Sequence, residues 1–201
     1  MMTIAEPELV LRSLDTTWTY ERWEQLPDDG NRYEVIDGVL YMTTAPSFFH
    51  QWIIGQLWRF VGHPAQEQGL AYAVAAPIGV LMPGCNPVQP DFLLIRKERA
   101  AIIYDRRVHG VPDLIVEVLS PTNQAQDTEL KRRAYARAGV PEYWMLRPAT
   151  RDVLACAQPD PALGDYTQVR LVASGEELVA ATLPLRVQVA DLFAGSPDTT
   201  L

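Results

Sequence analysis

The sequence predicts an α/β fold of the α+β type, with helices packed on a mixed β-sheet, and three observations carry that reading. Short apolar runs bounded by Gly and Pro, among them AYAVAAPIGVLMPG, VQPDFLLIRK and LIVEVLSP, read as strands. Segments with apolar residues at helical spacing alternate with these runs. Beyond about residue 152 the pattern turns into short alternating segments separated by PDPALGD, SGEE and LPL, which read as extra C-terminal antiparallel strands. Runs of strand and helix in this order describe a mixed sheet with helices on it.

Taken in order, Thr19 caps a short helix in TYERWEQL, with Glu21 in the first turn, and PDDGN ends it. RYEVIDGVLYMT forms a hairpin about Asp37-Gly38, the residue pair expected of a tight turn. A helix starts at Pro46-Ser47 and runs to about Val61, with Ser47 as cap and Phe49, Ile53, Leu57 and Phe60 or Val61 on one core-facing stripe. Two extended segments follow, joined by a Gly-Cys-Asn-Pro turn, and then LIVEVLS, stopped by Pro121. A helix from about Thr128 to Ala138 stops at Gly139 and leads into the strand EYWMLRP, whose Tyr143 and Trp144 read as core.

A chain of 201 residues fits one domain, 1–201, with a core of about 19–148 and a β-rich tail of about 152–193. The apolar share of 48% and charged share of 21% point to neither a disordered nor a fibrous chain. The start, MMTIAEPELVLRSLD, has no basic region or unbroken apolar stretch, and no segment is apolar enough to span a bilayer, so a cytoplasmic location without membrane contact is expected. Cys85 and Cys156 are expected as free thiols. A net charge of −8 argues against coating nucleic acid through a general field, while leaving room for local basic clusters at Arg96 to Arg99, Asp105 to Arg107 and Lys131 to Arg137.

One carboxylate stands out. Alternation in LIVEVLS puts Ile115, Glu117 and Leu119 on one face and Leu114, Val116 and Val118 on the other, so both faces are apolar except at Glu117. Such a strand is buried on both sides, and a charge there needs a partner. An Arg or Lys and a metal ion both satisfy that need. Asp113, on the same face, lies about 13 Å along the strand, too far to share one ion, and reads as a strand-start residue. Asp91 opens the apolar strand DFLLI, and a neighbouring strand can lie about 4.8 Å away, so it can meet Glu117; Pro90-Asp91 also reads as a turn.

NRYEVIDGVLYMTTAPSFFH, VQPDFLLI, PDLIVEVLSPTN and KRRAYARAGVPEYWMLRP, in that order, resemble the Uma-two family within the PD-(D/E)XK nuclease superfamily. The tail ending VADLFA is similar to that family too. The resemblance implies a restriction-endonuclease-like core, Asp91 and Glu117 as ligands of Mg²⁺ or Mn²⁺, and the Val118 backbone carbonyl as a further ligand. The superfamily's lysine two residues after the acid is replaced here by Leu119. The resemblance implies instead that Lys131, on the following helix, reaches the site and assists the attacking water; pairing with Asp127 one turn earlier is the alternative.

Three more residues match the family segments. Glu34 either joins the site or forms a structural salt bridge, His50 either contacts phosphate or water or packs a helix end, and Gln89 lies at the start of the same strand motif as Asp91. The function implied is Mg-dependent hydrolysis of phosphodiester bonds in DNA, with a homodimer as a possible assembly. Zinc is not expected of an oxygen donor set. The alternatives are a catalytically inactive protein of this fold that binds nucleic acid or scaffolds an assembly, and a metal-dependent hydrolase of another substrate.

Overall fold

The computed structural model describes residues 10–120 and 124–196. In chain order its elements are β1 (Val10–Arg12), α1 (Tyr20–Trp23), β2 (Arg32–Ile36), β3 (Val39–Thr43) and α2 (Phe48–Leu57), which continues through a π-helical turn, Trp58–Gly62, into α3 (His63–Glu67). Next come β4 (Ala71–Ala75), β5 (Gly79–Met82), β6 (Cys85–Val88), β7 (Phe92–Arg96), a 3₁₀ turn (Lys97–Ile102), β8 (Arg107–His109), β9 (Leu114–Val118), α4 (Gln124–Ala138) and β10 (Glu142–Arg147). The tail adds β11 (Asp152–Asp160), β12 (Asp165–Val172), β13 (Glu177–Val179), β14 (Arg186–Gln188) and α5 (Val189–Phe193).

The strands divide between two sheets. One has the order β1-β3-β2-β6-β5-β8 and the other β12-β11-β10-β9-β7-β4, with β13 and β14 as a separate ribbon. In the second sheet β9 and β10 run parallel, and the other pairs are antiparallel. A parallel pair cannot be joined by a hairpin, and α4 supplies the crossover.

The two faces of β9 explain the layering. Leu114, Val116 and Val118 pack into a core that takes in Ile53 and Leu57 of α2 and Leu192 of α5. Ile115 and Leu119 face a second core, with Tyr135 of α4 and Ile36, Val80 and Val88 of the first sheet. The second sheet is thus the middle layer, and α4 and the first sheet share its far side. Each fully buried Leu, Ile or Val side chain of β9 stabilises that arrangement by about 1.5–3 kcal/mol.

The expected caps and turns are present. The Thr19 side chain accepts from the Arg22 N–H and that of Ser47 from the His50 N–H. Asp37 and Gly38 both adopt positive φ, +50° and +77°, as a two-residue hairpin turn between β2 and β3 requires. Gly139 stops α4 at φ +82°. Cys85 and Cys156 are free and buried, and Tyr143 and Trp144 are core.

The structure departs from expectation in four places. The strands form two sheets where one was expected, because Pro77 ends β4 and the chain leaves the second sheet for the first. The Gly-Cys-Asn-Pro segment is mostly strand: the turn contracts to Pro83-Gly84, and Pro87 is tolerated in β6 because its pairing with β5 is irregular. The helix after Ser47 outruns Val61, and Pro64 follows directly on the π-helical turn Trp58–Gly62, where the α-helical bonding is already interrupted. The elements β1, β8, the 3₁₀ turn and α5 were not expected from the sequence; the strands among them are three residues long, too short for alternation to declare itself. Among the described residues no helix is long and apolar enough to cross a membrane.

Candidate active site

Asp91 sits one residue before β7. Since Phe92 pairs with Val116, continuing the antiparallel register by one step sets Asp91 beside Glu117 on β9. Both side chains are buried, as is Glu34 on β2 of the other sheet. Together with Arg32, Tyr41, His50, Val118, Ser120 and Lys131 they line one cleft of about 50 Å³.

Each carboxylate has its own set of contacts. Asp91 Oδ1 accepts from Arg32 Nη1 at 2.8 Å, and Oδ2 accepts from the Val118 backbone N–H at 2.8 Å and lies 3.3 Å from His50 Nε2. Burial pushes this carboxyl up, but Arg32, His50 and the Val118 N–H outweigh it and hold Asp91 well below the usual carboxylate range. Glu34 Oε1 accepts the Gln89 N–H at 2.7 Å, and its Oε2 is 2.9 Å from Lys131 Nζ. Glu117 Oε1 accepts from Lys131 Nζ at 3.1 Å and from the Tyr135 hydroxyl at 2.8 Å. For Glu117 the balance reverses. Burial, with Asp91 and Glu34 adding negative charge, outweighs Lys131 and pushes its carboxyl to about 8.

The structure therefore brings Asp91, Glu117, Lys131, Glu34 and His50 into one cleft. Lys131 pairs with Glu34 and Glu117, while the alternative pairing with Asp127 falls on a side chain outside the described ones. Val118 lines the cleft and holds Asp91 through its N–H. Gln89 stands behind the site: its N–H fixes Glu34, and its side chain donates to the Tyr33 carbonyl at 3.1 Å. Asp113 takes the structural role, accepting the Arg96 N–H at 2.9 Å and Arg99 Nη1 at 2.7 Å.

Arg32 and Tyr135 were not expected in the site. The signal for Arg32 was its place two residues before Glu34, on the same face of β2. That for Tyr135 was its place one helical turn after Lys131, which puts both donors on one face of α4.

Residues 19–191 match the family model Uma2, described as "Putative restriction endonuclease". The chain belongs to the Uma2 family. A solved structure from Anabaena variabilis ATCC 29413, described as a "putative nuclease", is similar in fold to this Uma2 chain, with a TM-score of 0.73 at 16% identity over 88% of this chain and 98% of that one. No curated protein matches the sequence.

Three buried carboxylates face two buried or half-buried cations, Arg32 and Lys131, and burial, with the charges of Asp91 and Glu34 adding to it, raises Glu117. Among the described residues no three His, Cys, Asp or Glu side chains are grouped as a metal cage. Asp91 and Glu117, side by side on neighbouring strands, supply two carboxylates that backbone or water oxygens could supplement. That donor set fits Mg²⁺ or Mn²⁺, which keep several waters and need only one or two carboxylates. Both described donors to Glu117 use Oε1, and Oε2 remains as an acceptor.

Proposed function

We propose that this Uma2 chain is a metal-dependent endonuclease that hydrolyses phosphodiester bonds in DNA at this cleft. Asp91 and Glu117 would hold Mg²⁺ or Mn²⁺, with the Val118 carbonyl as a further oxygen. The observation that supports it most is the convergence of two carboxylates from adjacent strands with a buried lysine from the helix that follows one of them.

Bound there, the ion would supply Lewis-acid polarisation of a phosphate oxygen and lower the pKa of water. The protein's own residues divide the remaining work. Asp91 stays ionised under all ordinary conditions, because Arg32, His50 and the Val118 N–H stabilise its charge. Glu34, fixed by the Gln89 N–H, positions Lys131 by accepting from its ammonium. Lys131 Nζ, between two carboxylates, can donate to a water and steady the charge that develops as it attacks. Burial strengthens each of these interactions relative to open water.

Asp91→Ala and Glu117→Ala are the test, with circular dichroism to establish that each folds. Loss of Mn²⁺-dependent cleavage of a DNA duplex in both is expected; cleavage by both variants at the wild-type rate overturns the assignment.

The internal pairing of every carboxylate in the cleft favours a second reading, a non-catalytic protein of this fold that binds nucleic acid or scaffolds an assembly. Calorimetric titration with Mn²⁺ separates the two. Binding that disappears in Glu117→Ala supports the nuclease, and absence of binding supports the scaffold.

A further inference from the structure

We propose that Arg32 is a phosphate-binding residue of this cleft, whose guanidinium occupies the cation's place at Asp91 in the ion-free protein and passes to the DNA backbone when the ion binds. The inference rests on the nuclease reading above and deepens it.

Arg32 is held by fewer bonds than the chain's most firmly anchored arginines, and, unlike the other one-nitrogen pairs such as Arg132 with Asp165, it lines the cleft. Arg147 grips Asp152 with two parallel bonds, Nε to Oδ1 at 2.6 Å and Nη2 to Oδ2 at 2.8 Å. Arg99 also uses both terminal nitrogens, on Asp113 and the Val111 carbonyl. The described bonds of Arg32 use Nη1 alone, on Asp91 Oδ1. A guanidinium carries five donors in a planar fork that matches a phosphate, so most of this one is uncommitted. It is also reachable: the Arg32 side chain is 20% exposed where that of Asp91 is 2% exposed, and it lines the cleft.

Asp91, by contrast, is crowded. A carboxylate offers about four lone-pair positions. Those of Asp91 meet Arg32, the Val118 N–H and His50 Nε2. The Val118 N–H belongs to a strand and cannot leave. A divalent ion approaching Asp91 competes for the same oxygen as Arg32 and repels its charge at short range. Arg32 is the partner with a flexible stem, and a phosphate drawn to the ion is the anion that would receive it.

The test uses the full chain as wild type, Arg32→Gln and Arg32→Lys. Mn²⁺ affinity is measured by calorimetry, and affinity for a DNA duplex is measured in Ca²⁺ over a range of salt. For Arg32→Gln we expect Mn²⁺ binding tightened about tenfold, within the usual range of coupling between two ligands. Its DNA binding should weaken for every sequence tried, with a salt slope lower by about one. These opposite signs are the signature. Unchanged or weaker Mn²⁺ binding together with unchanged DNA binding overturns the proposal and leaves Arg32 a structural ion pair. If Arg32→Gln does not fold, Arg32→Lys carries the test: it keeps the charge on Asp91 and loses the fork, so Mn²⁺ affinity should hold while DNA affinity falls severalfold. DNA affinity equal to wild type in that variant overturns the proposal. Failure of both the wild type and Arg32→Gln to bind Mn²⁺ sinks the nuclease reading, and this inference with it.

Discussion

Lys131 Nζ lies 2.9 Å from Glu34 Oε2 and 3.1 Å from Glu117 Oε1, so one ammonium on α4 joins the carboxylates of two different sheets. A second tie runs parallel to it, from Arg137 on the same helix to Asp37 in the β2–β3 turn at 2.5 Å. The exposed pair is screened by solvent and contributes little. The buried one holds the cleft's shape and its charge balance together, so its stability and its chemistry are coupled.

Replacing Lys131 separates the two. Lys131→Met leaves Glu34 and Glu117 buried without their cation, and breaking a buried pair in this way costs about 3–5 kcal/mol. A large drop in the urea midpoint is expected, with part of it restored by saturating Mn²⁺, and cleavage should be lost even when Mn²⁺ has restored the fold. Cleavage surviving in the refolded variant would confine the lysine to a structural role.

The raised Glu117 makes stability depend on pH in a direction opposite to most carboxylates. Its folded carboxyl titrates at about 8, against an ordinary 4.5, so the folded chain holds this proton more tightly than the unfolded chain does. That contribution is fully present below about 4.5 and is lost as the pH rises through 8. Asp91 runs the other way, its stabilisation present above the ordinary 3.8 and lost on acidification. With metal chelated, the urea midpoint should therefore fall from about pH 5 to about pH 8, and Glu117→Gln should flatten that decline. A wild-type midpoint that is level or rising over that interval would show that Glu117 is already ionised at its lower end.

Glu142 supplies a contrast, a buried carboxylate with no part in the cleft. Only 2% exposed, it accepts from the Trp144 indole N–H at 2.7 Å, the backbone N–H groups of Ala181 and Thr182, and the Thr182 hydroxyl at 2.8 Å. These bonds fasten the segment between β13 and β14 to the central sheet. Glu142→Ala strands the buried Trp144 indole N–H, at a cost of about 1–3 kcal/mol, and releases the less buried donors of Ala181 and Thr182. A lower melting temperature with Mn²⁺ affinity unchanged is expected; a weakened Mn²⁺ affinity in folded protein would mean the tail communicates with the site.

What could be read in the sequence followed the range of each signal. The alternation of LIVEVLS, with one charge amid apolar residues on both faces, placed Glu117 in a buried strand. The same alternation separated Asp113 from it by distance. A single strand spacing is short enough for Asp91 to meet Glu117, and the family resemblance chose that reading over a turn. The division into two sheets was out of reach, because it depends on where the chain goes after Pro77, and a strand pattern is the same whichever sheet receives it. Arg32 is hard to read from its own segment, because its value arises from Asp91, 59 positions away. Tyr135 was hidden for another reason: in a helix core an aromatic side chain satisfies the hydrophobic pattern completely, and its hydroxyl leaves no mark on periodicity.

That hydroxyl can be tested without disturbing the core. Tyr135 is fully buried and packs edge-on against Tyr143, rings 5.0 Å apart at 89°, so phenylalanine keeps the shape. What is removed is the bond to Glu117 Oε1, which leaves Lys131 as its one described donor. The stability loss should be about 1 kcal/mol, that of a single hydrogen bond. Partners that orient a ligating group typically matter more for the metal than for the fold, and their loss lowers affinity about 10–100-fold. Tyr135→Phe is therefore expected to melt close to wild type and to bind Mn²⁺ at least tenfold more weakly. Equal affinity in the two proteins would mean that Lys131 alone orients Glu117, and that the tyrosine serves the core by its ring.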